Sequence, residues 1–502
     1  MEQALPALVI VVPLITACLI AVVGRYARSL SWPLAVLATA FSFVGAIRLL
    51  IRAVGGETII YSFGGWLAPT GIEYRVDLLN GIVLTMVATV GFLVALWMRL
   101  STRQEIQARA HYGYYAVLLL FLTGLMGITI TGDVFNLYVF LEISSISSYL
   151  LVAMGRTRQS LYAGLTYLIL GSIGATFVLL GIGHLYMATG SLQMTDIAQI
   201  LYQPVTEGGP LTIERYESVV ETAFAFIAVG LAVKMALFPL HSWQPGAYTF
   251  APSGVSFVMA ATSTKVAAYA FYRFSFTVFG VGYLEGEVPA VLDALLIMAA
   301  TAMVIGPLLA VRQDNLKRML AYSSVGQIGY IVLGATMANE SAMTGSIVHF
   351  WNHAASKGAL FGVAGALVFV TGSARIDDLR GLARRAPWTA VAMTLAALSL
   401  VGVPLTGGFI TKYYLSVGAL EAGRGILLPF ILVSSVLTAI YMWRCLQRVW
   451  FAPADVEPAM TREVPWSMRL PTMVLALAGI VFGIWAALPM GIAAKAAEIL
   501  VP

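Results

Sequence analysis

Cysteine is almost absent from this chain. It has two in 502 residues, Cys18 and Cys445, each inside an apolar run, which excludes a disulfide framework. Histidine is scarce too, and no Cys/His ligand set for zinc or an iron–sulfur centre can be assembled, so neither a metal nor a cofactor is expected. Charged residues make up 11%, where soluble domains carry about a quarter. There is no glycine loop to cradle phosphates and no basic stripe with interleaved aromatics for nucleic acid. The N-terminal apolar run lacks a basic leader and a small-residue cleavage site, so it reads as a first membrane helix and not as a signal peptide. The longest polar loops, 53–78 and 189–217, are too short to hold a soluble domain.

What remains is membrane material: 60% hydrophobic residues and a mean hydropathy of +0.87. Apolar runs of about twenty residues or more predict helices near 4–24, 31–52, 79–99, 112–131, 133–153, 161–188, 218–247, 252–279, 290–311, 316–338, 343–371, 388–420, 425–450 and 470–495. The expected fold is therefore an all-α polytopic membrane protein of about fourteen transmembrane helices. Loop charges alternate in step with that count. Odd-numbered loops are basic, carrying Arg25 and Arg28, Arg99 to Arg109, Arg156 and Arg158, Arg312 to Arg318, Arg375 to Arg385, and Arg444 to Arg462. Even-numbered loops are acidic, with Glu207, Glu214 and Glu217 against Arg215, then Glu285 and Glu287, then Glu340. The positive-inside rule puts the odd loops in the cytoplasm and both termini outside. Arg48 and Arg52 break the pattern and are expected to snorkel.

Two of the runs are interrupted and carry a lysine. In FAFIAVGLAVKMALFPLHSWQPGAY, Pro239 follows Lys234 by five residues and removes a helical donor. In LSLVGVPLTGGFITKYYL, Pro404, Gly407 and Gly408 break the run before Lys412. Helices interrupted near the midplane are where transporters place ion sites, and two such helices about 170 residues apart look like matching parts of two repeats.

Few other ionisable residues stand at membrane depth, where each is costly unless it is paired or faces a cavity. Glu142 lies among aromatics and serines in GDVFNLYVFLEISSISSYLLVA, and Lys234 is its natural counter-charge. Lys265 sits well inside the eighth expected helix. His349, His353 and Lys357 follow at spacings of four, which stacks them on one helix face. No glutamate follows His349 and no third ligand is at hand, so a proton relay through imidazoles fits better than zinc. Asp133 and Lys317 read as helix-end residues, and His241 falls near the turn after Pro239. The plain alternatives are a structural ion pair, snorkelling lysines and hydrogen-bonded core histidines.

Together with these stretches, DNLKRMLAYSSVGQIGYIVLG, HFWNHAASKGALF and LRGLARRAPWTAVAMTLAALSL resemble the antiporter-like subunits shared by Mrp-type cation/proton antiporters and respiratory complex I. The resemblance spans roughly residues 70–450 and is closest in phrasing to the D-type component of Mrp-type Na+/H+ antiporters. It implies two inverted five-helix repeats with discontinuous helices seven and twelve. The expected divisions are helices 1–3 over 1–110, the first repeat over 111–280, the second over 281–450 and a last helix over 451–502.

The resemblance also implies roles. Glu142 pairs with Lys234, Lys265 bridges, His349, His353 and Lys357 form the central connection, and Lys412 stands at the terminal exit. The function implied is the proton half of monovalent cation (Na+)/proton exchange in a bacterial cell membrane, without catalytic chemistry of the chain's own. The implied partners are the other membrane subunits, of the A, B, C, E, F and G types, and the exchanged ions are protons and Na+. Two rival readings use the same residues: a proton-pumping subunit of a complex I-like dehydrogenase or hydrogenase, and a scaffold subunit whose buried charges are structural.

Overall fold

The computed structural model describes residues 3–202, 216–453 and 459–501; Glu207, Glu214 and Arg215 of the sixth expected loop lie outside them. The helices in chain order are α1 Leu5–Val23, α2 Ser31–Val54, α3 Leu78–Glu105, α4 His111–Ile130, α5 Val134–Ala153, α6 Arg158–Thr189, α7 Met194–Tyr202, α8 Glu217–Lys234, α9 Trp243–Phe250 and α10 Ser253–Tyr272. Then come α11 Gly280–Gly286, α12 Pro289–Val311, α13 Leu316–Met337, α14 Glu340–Thr371, α15 Leu382–Arg385, α16 Pro387–Val401, α17 Gly407–Glu421, α18 Leu428–Trp450, α19 Trp466–Ile484 and α20 Ala487–Leu500.

Among the described residues, ten helices are long and apolar enough to cross a membrane by length and composition alone. The remaining four of the fourteen expected spans are α8 with α9, α10, α13, and α16 with α17. Breaks split two of them into shorter helices, and polar residues and glycines lower the hydropathy of α10 and α13. α10, α13 and most of α14 are buried on every side, so their polar residues meet protein instead of lipid. α1, α2, α6 and α18 keep a lipid-compatible face instead, with Ile15, Leu37, Leu165 and Leu432 exposed.

Two five-helix sets follow α3, from α4 to α10 and from α12 to α18, and in each the fourth span is discontinuous. Five is odd, so a chain that crosses the bilayer at every span enters the second set from the opposite side. The sets are therefore inverted with respect to each other.

Three details depart from the expectation. The last span is not one helix over 470–495: α19 and α20 meet at a bend at Trp485 and Ala486, because Pro489 has no N–H and its ring excludes a helical carbonyl at Trp485. The 53–78 loop holds a two-stranded antiparallel hairpin, β1 Ile59–Ser62 with β2 Glu73–Val76. Four-residue strands give too little alternation to stand out in sequence. Arg52 does not only snorkel, since its Nε donates to Glu57 Oε2 at 2.8 Å. The helix-end expectations hold: the Asp133 carboxylate caps α5 by accepting from Asn136 N at 2.6 Å, and Lys317 is the second residue of α13.

Candidate functional site

The first break lies earlier than Pro239 suggests, for α8 already stops at Lys234. Ala236 adopts a left-handed φ of 58°. This lets Ala236 N donate to Val233 O at 3.1 Å and Leu237 N to Ala232 O at 3.0 Å, which closes the helix terminus. Trp243, the first residue of α9, then ties the two halves by donating from Nε1 to Val233 O at 2.9 Å. Lys234 is thus the last residue of a half-helix, where the carboxyl end of the dipole favours a cation.

The second break is built alike. Gly402 has φ 84°, and the N–H groups of Gly402 and Val403 close onto the Ser399 and Leu398 carbonyls at 3.2 and 3.1 Å. Lys412, on α17, reaches back to donate to the Val401 carbonyl at 2.5 Å. Both lysines therefore meet the carboxyl end of an interrupted helix. Asn352 on α14 holds this break in place by accepting from Ser399 Oγ at 2.7 Å. Gly408 is needed beside it, because a Cβ there would stand 1.9 Å from the Ser399 carbonyl oxygen.

Lys234 Nζ lies 3.6 Å from Glu142 Oε1, and it donates to Ser145 Oγ at 2.7 Å and Tyr149 Oη at 3.2 Å. Residues 142, 145 and 149 share one face of α5, so helical spacing alone connects both hydroxyls with Glu142. Glu142 is only partly buried, not enclosed among its aromatics as expected: its Oε1, the oxygen nearest Lys234, is buried. Its side chain is 26% exposed, on an outward stripe of α5 with the exposed Phe135, Val139, Ile146 and Leu150. Helical periodicity puts it there: Glu142 falls at the edge of an α5 face that the described residues leave uncovered.

Between the breaks lies a row of buried polar side chains. A cavity of about 30 Å³ lined by Ser145, Ser148, Lys234 and Ser263 joins the first lysine to α10, with room for about one water molecule. Lys265 is fully buried on α10 and donates to the Ala260 carbonyl. Lys357, also fully buried, donates to Leu320 O at 2.7 Å and to Ser323 Oγ on α13. Among the described residues, Lys234 alone of these four lysines has a carboxylate within 4 Å.

His349 and His353 stack with ring centroids 5.5 Å apart and planes 11° apart. None of their four ring nitrogens has a hydrogen-bond partner among the described residues, and neither do both polar atoms of the buried Gln244 and Gln327, nor Ser263, Thr264 and Ser356. Buried polar groups without a protein partner are the usual berths of ordered water. Tyr330 completes the connection, with its ring 5.7 Å from His349 on one side and 5.4 Å from the Lys412 ammonium on the other. No pattern in the sequence singled out Tyr330.

The structure thus places Lys234, Lys265, His349, His353, Lys357 and Lys412 inside the protein, with Glu142 paired to Lys234 at its edge. Pro239, Pro404, Gly407 and Gly408 lie at or beside the two breaks. His241 stays at the edge, in the break segment, with its ring against Phe238. The arrangement gathers groups that can each bind or release a proton. It offers no nucleophile with an adjacent base and no cofactor cradle among the described residues.

The family profile described as NADH:quinone oxidoreductase/Mrp antiporter, transmembrane, matches residues 131–438, which include every residue of this set. The N-type component of the NADH-quinone oxidoreductase of Desulforudis audaxviator (strain MP104C) is 41% identical, over 97% of this chain and 96% of that protein. The D-type component of the Na(+)/H(+) antiporter of Bacillus subtilis (strain 168) is 27% identical, over 95% of this chain and 92% of its own length. In the solved structure of the membrane-bound sulfane sulfur reductase, an archaeal respiratory membrane complex, one chain superposes with a TM-score of 0.89. It is 31% identical, and the match covers 99% of this chain and 98% of that one.

Proposed function

Because this chain belongs to the NADH:quinone oxidoreductase/Mrp antiporter transmembrane family, we propose that its interior system carries protons across and along the membrane within a multisubunit complex. A proton is taken up at Lys234, where Glu142 governs how tightly it is held. It passes Lys265 and the imidazoles of His353 and His349 beside Lys357, and leaves by Lys412. The observation that carries this reading is the stacked histidine pair, whose ring nitrogens have no hydrogen-bond partner among the described residues. A structural role would fill those positions with hydrogen bonds or with apolar side chains.

The partly exposed Glu142 supports the presence of a partner subunit, since a carboxylate facing lipid alone is costly. The host complex in this proposal is a Na+/H+ antiporter of the Mrp class in a bacterial cell membrane, with the A, B, C, E, F and G types of subunit as partners and both termini outside. The basic odd-numbered loops support that orientation. The two five-helix sets are its two half-channels, over 111–280 and 281–450.

A second reading of the host is favoured by the 41% identical relative, whose name is that of a redox enzyme component. In it the same proton path is driven by electron transfer elsewhere in the complex. Gentle purification of the tagged chain separates the two. Small membrane partners without redox centres support the antiporter, and flavin, iron–sulfur or nickel subunits support the redox pump. The path itself is tested by Glu142→Ala and Lys234→Ala, which are expected to assemble normally and lose proton translocation. Full translocation in assembled variants would remove the proposed path.

A further inference from the structure

A second polar system leaves the row at α10 and reaches the face that carries the even-numbered loops. Lys265, Tyr269 and Arg273 follow one another at spacings of four, which aligns them on one face of α10 and its continuation. Arg273 is buried and fully engaged. Its Nε donates to Tyr269 Oη at 2.7 Å, its Nη2 to Asp77 Oδ1 at 2.5 Å, and its Nη1 to Thr277 Oγ1 at 3.3 Å. Tyr269 Oη in turn donates to the Thr129 carbonyl at 2.6 Å, in the last turn of α4. Asp77 also caps α3, accepting from Asn80 N at 3.1 Å.

Beyond the ion pair lies a cavity of about 250 Å³ with Asp77, Asn80, Thr131, Gln193, Arg273 and Thr277 in its wall. Gln193 is 1% exposed. Its Nε2 donates to Glu73 Oε1 at 2.6 Å, and its Oε1 is buried without a hydrogen-bond partner among the described residues. The volume and the polar wall suit several water molecules. A buried ion pair seldom repays its own desolvation in stability, and this one stands between a roomy polar cavity and a tyrosine one turn from a buried lysine.

We propose that this cavity is a water-filled mouth of the proton path, and that Tyr269 with the Asp77–Arg273 pair is the gate between it and Lys265. The proposal rests on the row being a proton path, and adds an opening to it in the first repeat, apart from the exit at Lys412. The structure holds the gate shut: the Lys265 ammonium is turned to the Ala260 carbonyl, and the Tyr269 hydroxyl to the Thr129 carbonyl. Opening requires Lys265 to turn towards Tyr269. The proton leaving Lys265 Nζ then arrives at Tyr269 Oη as the hydroxyl hands its own proton on. The Asp77 carboxylate receives that proton once Arg273 releases it, and water in the cavity carries it away.

The test uses the assembled complex in sealed vesicles, with Cys18→Ser as background. Thr195→Cys places a thiol in the cavity wall, and Thr70→Cys, in the exposed loop between β1 and β2, reports which side that face is on. A membrane-impermeant methanethiosulfonate is expected to label Thr195→Cys from the side that labels Thr70→Cys, and to slow translocation about tenfold. Tyr269→Phe, which removes only the hydroxyl, is expected to slow translocation to a similar degree with assembly intact. No labelling of Thr195→Cys, or labelling together with Tyr269→Phe at full rate, overturns the mouth. If Lys234→Ala abolishes translocation while both of those variants run at full rate, the row stands and the mouth falls. If Lys234→Ala runs at full rate but Tyr269→Phe is slowed, the mouth stands and the uptake step at Lys234 falls.

Discussion

The ammonium of Lys412 crosses the break in its own helix and donates to the carbonyl of Val401, eleven residues earlier, at 2.5 Å. The bond ties α17 to the carboxyl end of α16, as Trp243 ties α9 to α8 through Val233. It also gives a buried lysine an oxygen partner without a carboxylate, so its proton is held by a dipole and not by a full counter-charge.

Lys412→Gln keeps a polar side chain with an N–H donor but has no titratable proton to give. The variant is expected to reach wild-type levels in the assembled complex and to lose translocation by about a hundredfold, within the range for removing a positioned proton carrier. Proton flux in vesicles, normalised to assembled complex, measures it. Flux near wild type would take Lys412 off the path.

His349→Leu with His353→Leu replaces two buried rings that make no protein hydrogen bonds among the described residues. Exchanging unsatisfied polar groups for apolar ones of similar size is neutral or stabilising. The thermal midpoint in detergent is therefore expected to stay level or rise while translocation falls by about a hundredfold. A lower midpoint with retained flux would make the histidines structural.

Gly408→Ala forces α16 and α17 apart, because the new Cβ would meet the Ser399 carbonyl oxygen at 1.9 Å. Overpacking of this kind costs on the order of 2–3 kcal/mol, and less assembled complex is expected. Gly183→Ala on α6, whose Cβ would meet nothing within 4 Å, is the control and is expected to match wild type. Equal yields for the two variants would mean the second break is not rigid.

Burial pushes the Asp77 carboxyl up, but the attraction and hydrogen bond of Arg273 and the Asn80 N–H outweigh it and hold the group below the usual aspartate range. A depressed carboxylate contributes stability that is fully present above its unfolded pKa, about 3.9, and is lost as the pH falls through the folded value. Wild type is thus expected to lose thermal stability below about pH 4. Asp77→Asn should be less stable at neutral pH and should converge on wild type in that acid window. A constant gap between the two melting curves at all pH values would refute the linkage.

Hydropathy and charge scarcity are local properties, and they sufficed for the order of the helices, the two interruptions and most of the titratable groups buried among them. They did not single out Arg273, which is buried beside Tyr269 in the continuation of α10. The inverted order of the two sets was implied by the family resemblance and not by any local property. Partnership was not local. Arg273 meets Asp77 across 196 residues and Lys234 meets Ser145 across 89, and no spacing rule reaches that far.

Pro239 marked the first break, but the left-handed turn at Ala236 decided that Lys234 would be the last residue of its half-helix, because the terminal hydrogen bonds closed before the proline was reached. Glu142 was expected inside and lies partly exposed, because the sequence shows that a helix is apolar but not which of its faces another helix will cover. The sequence determined which groups had to leave water. Packing decided which of them touch, since contact between distant helices is settled by the shapes of all the side chains between them.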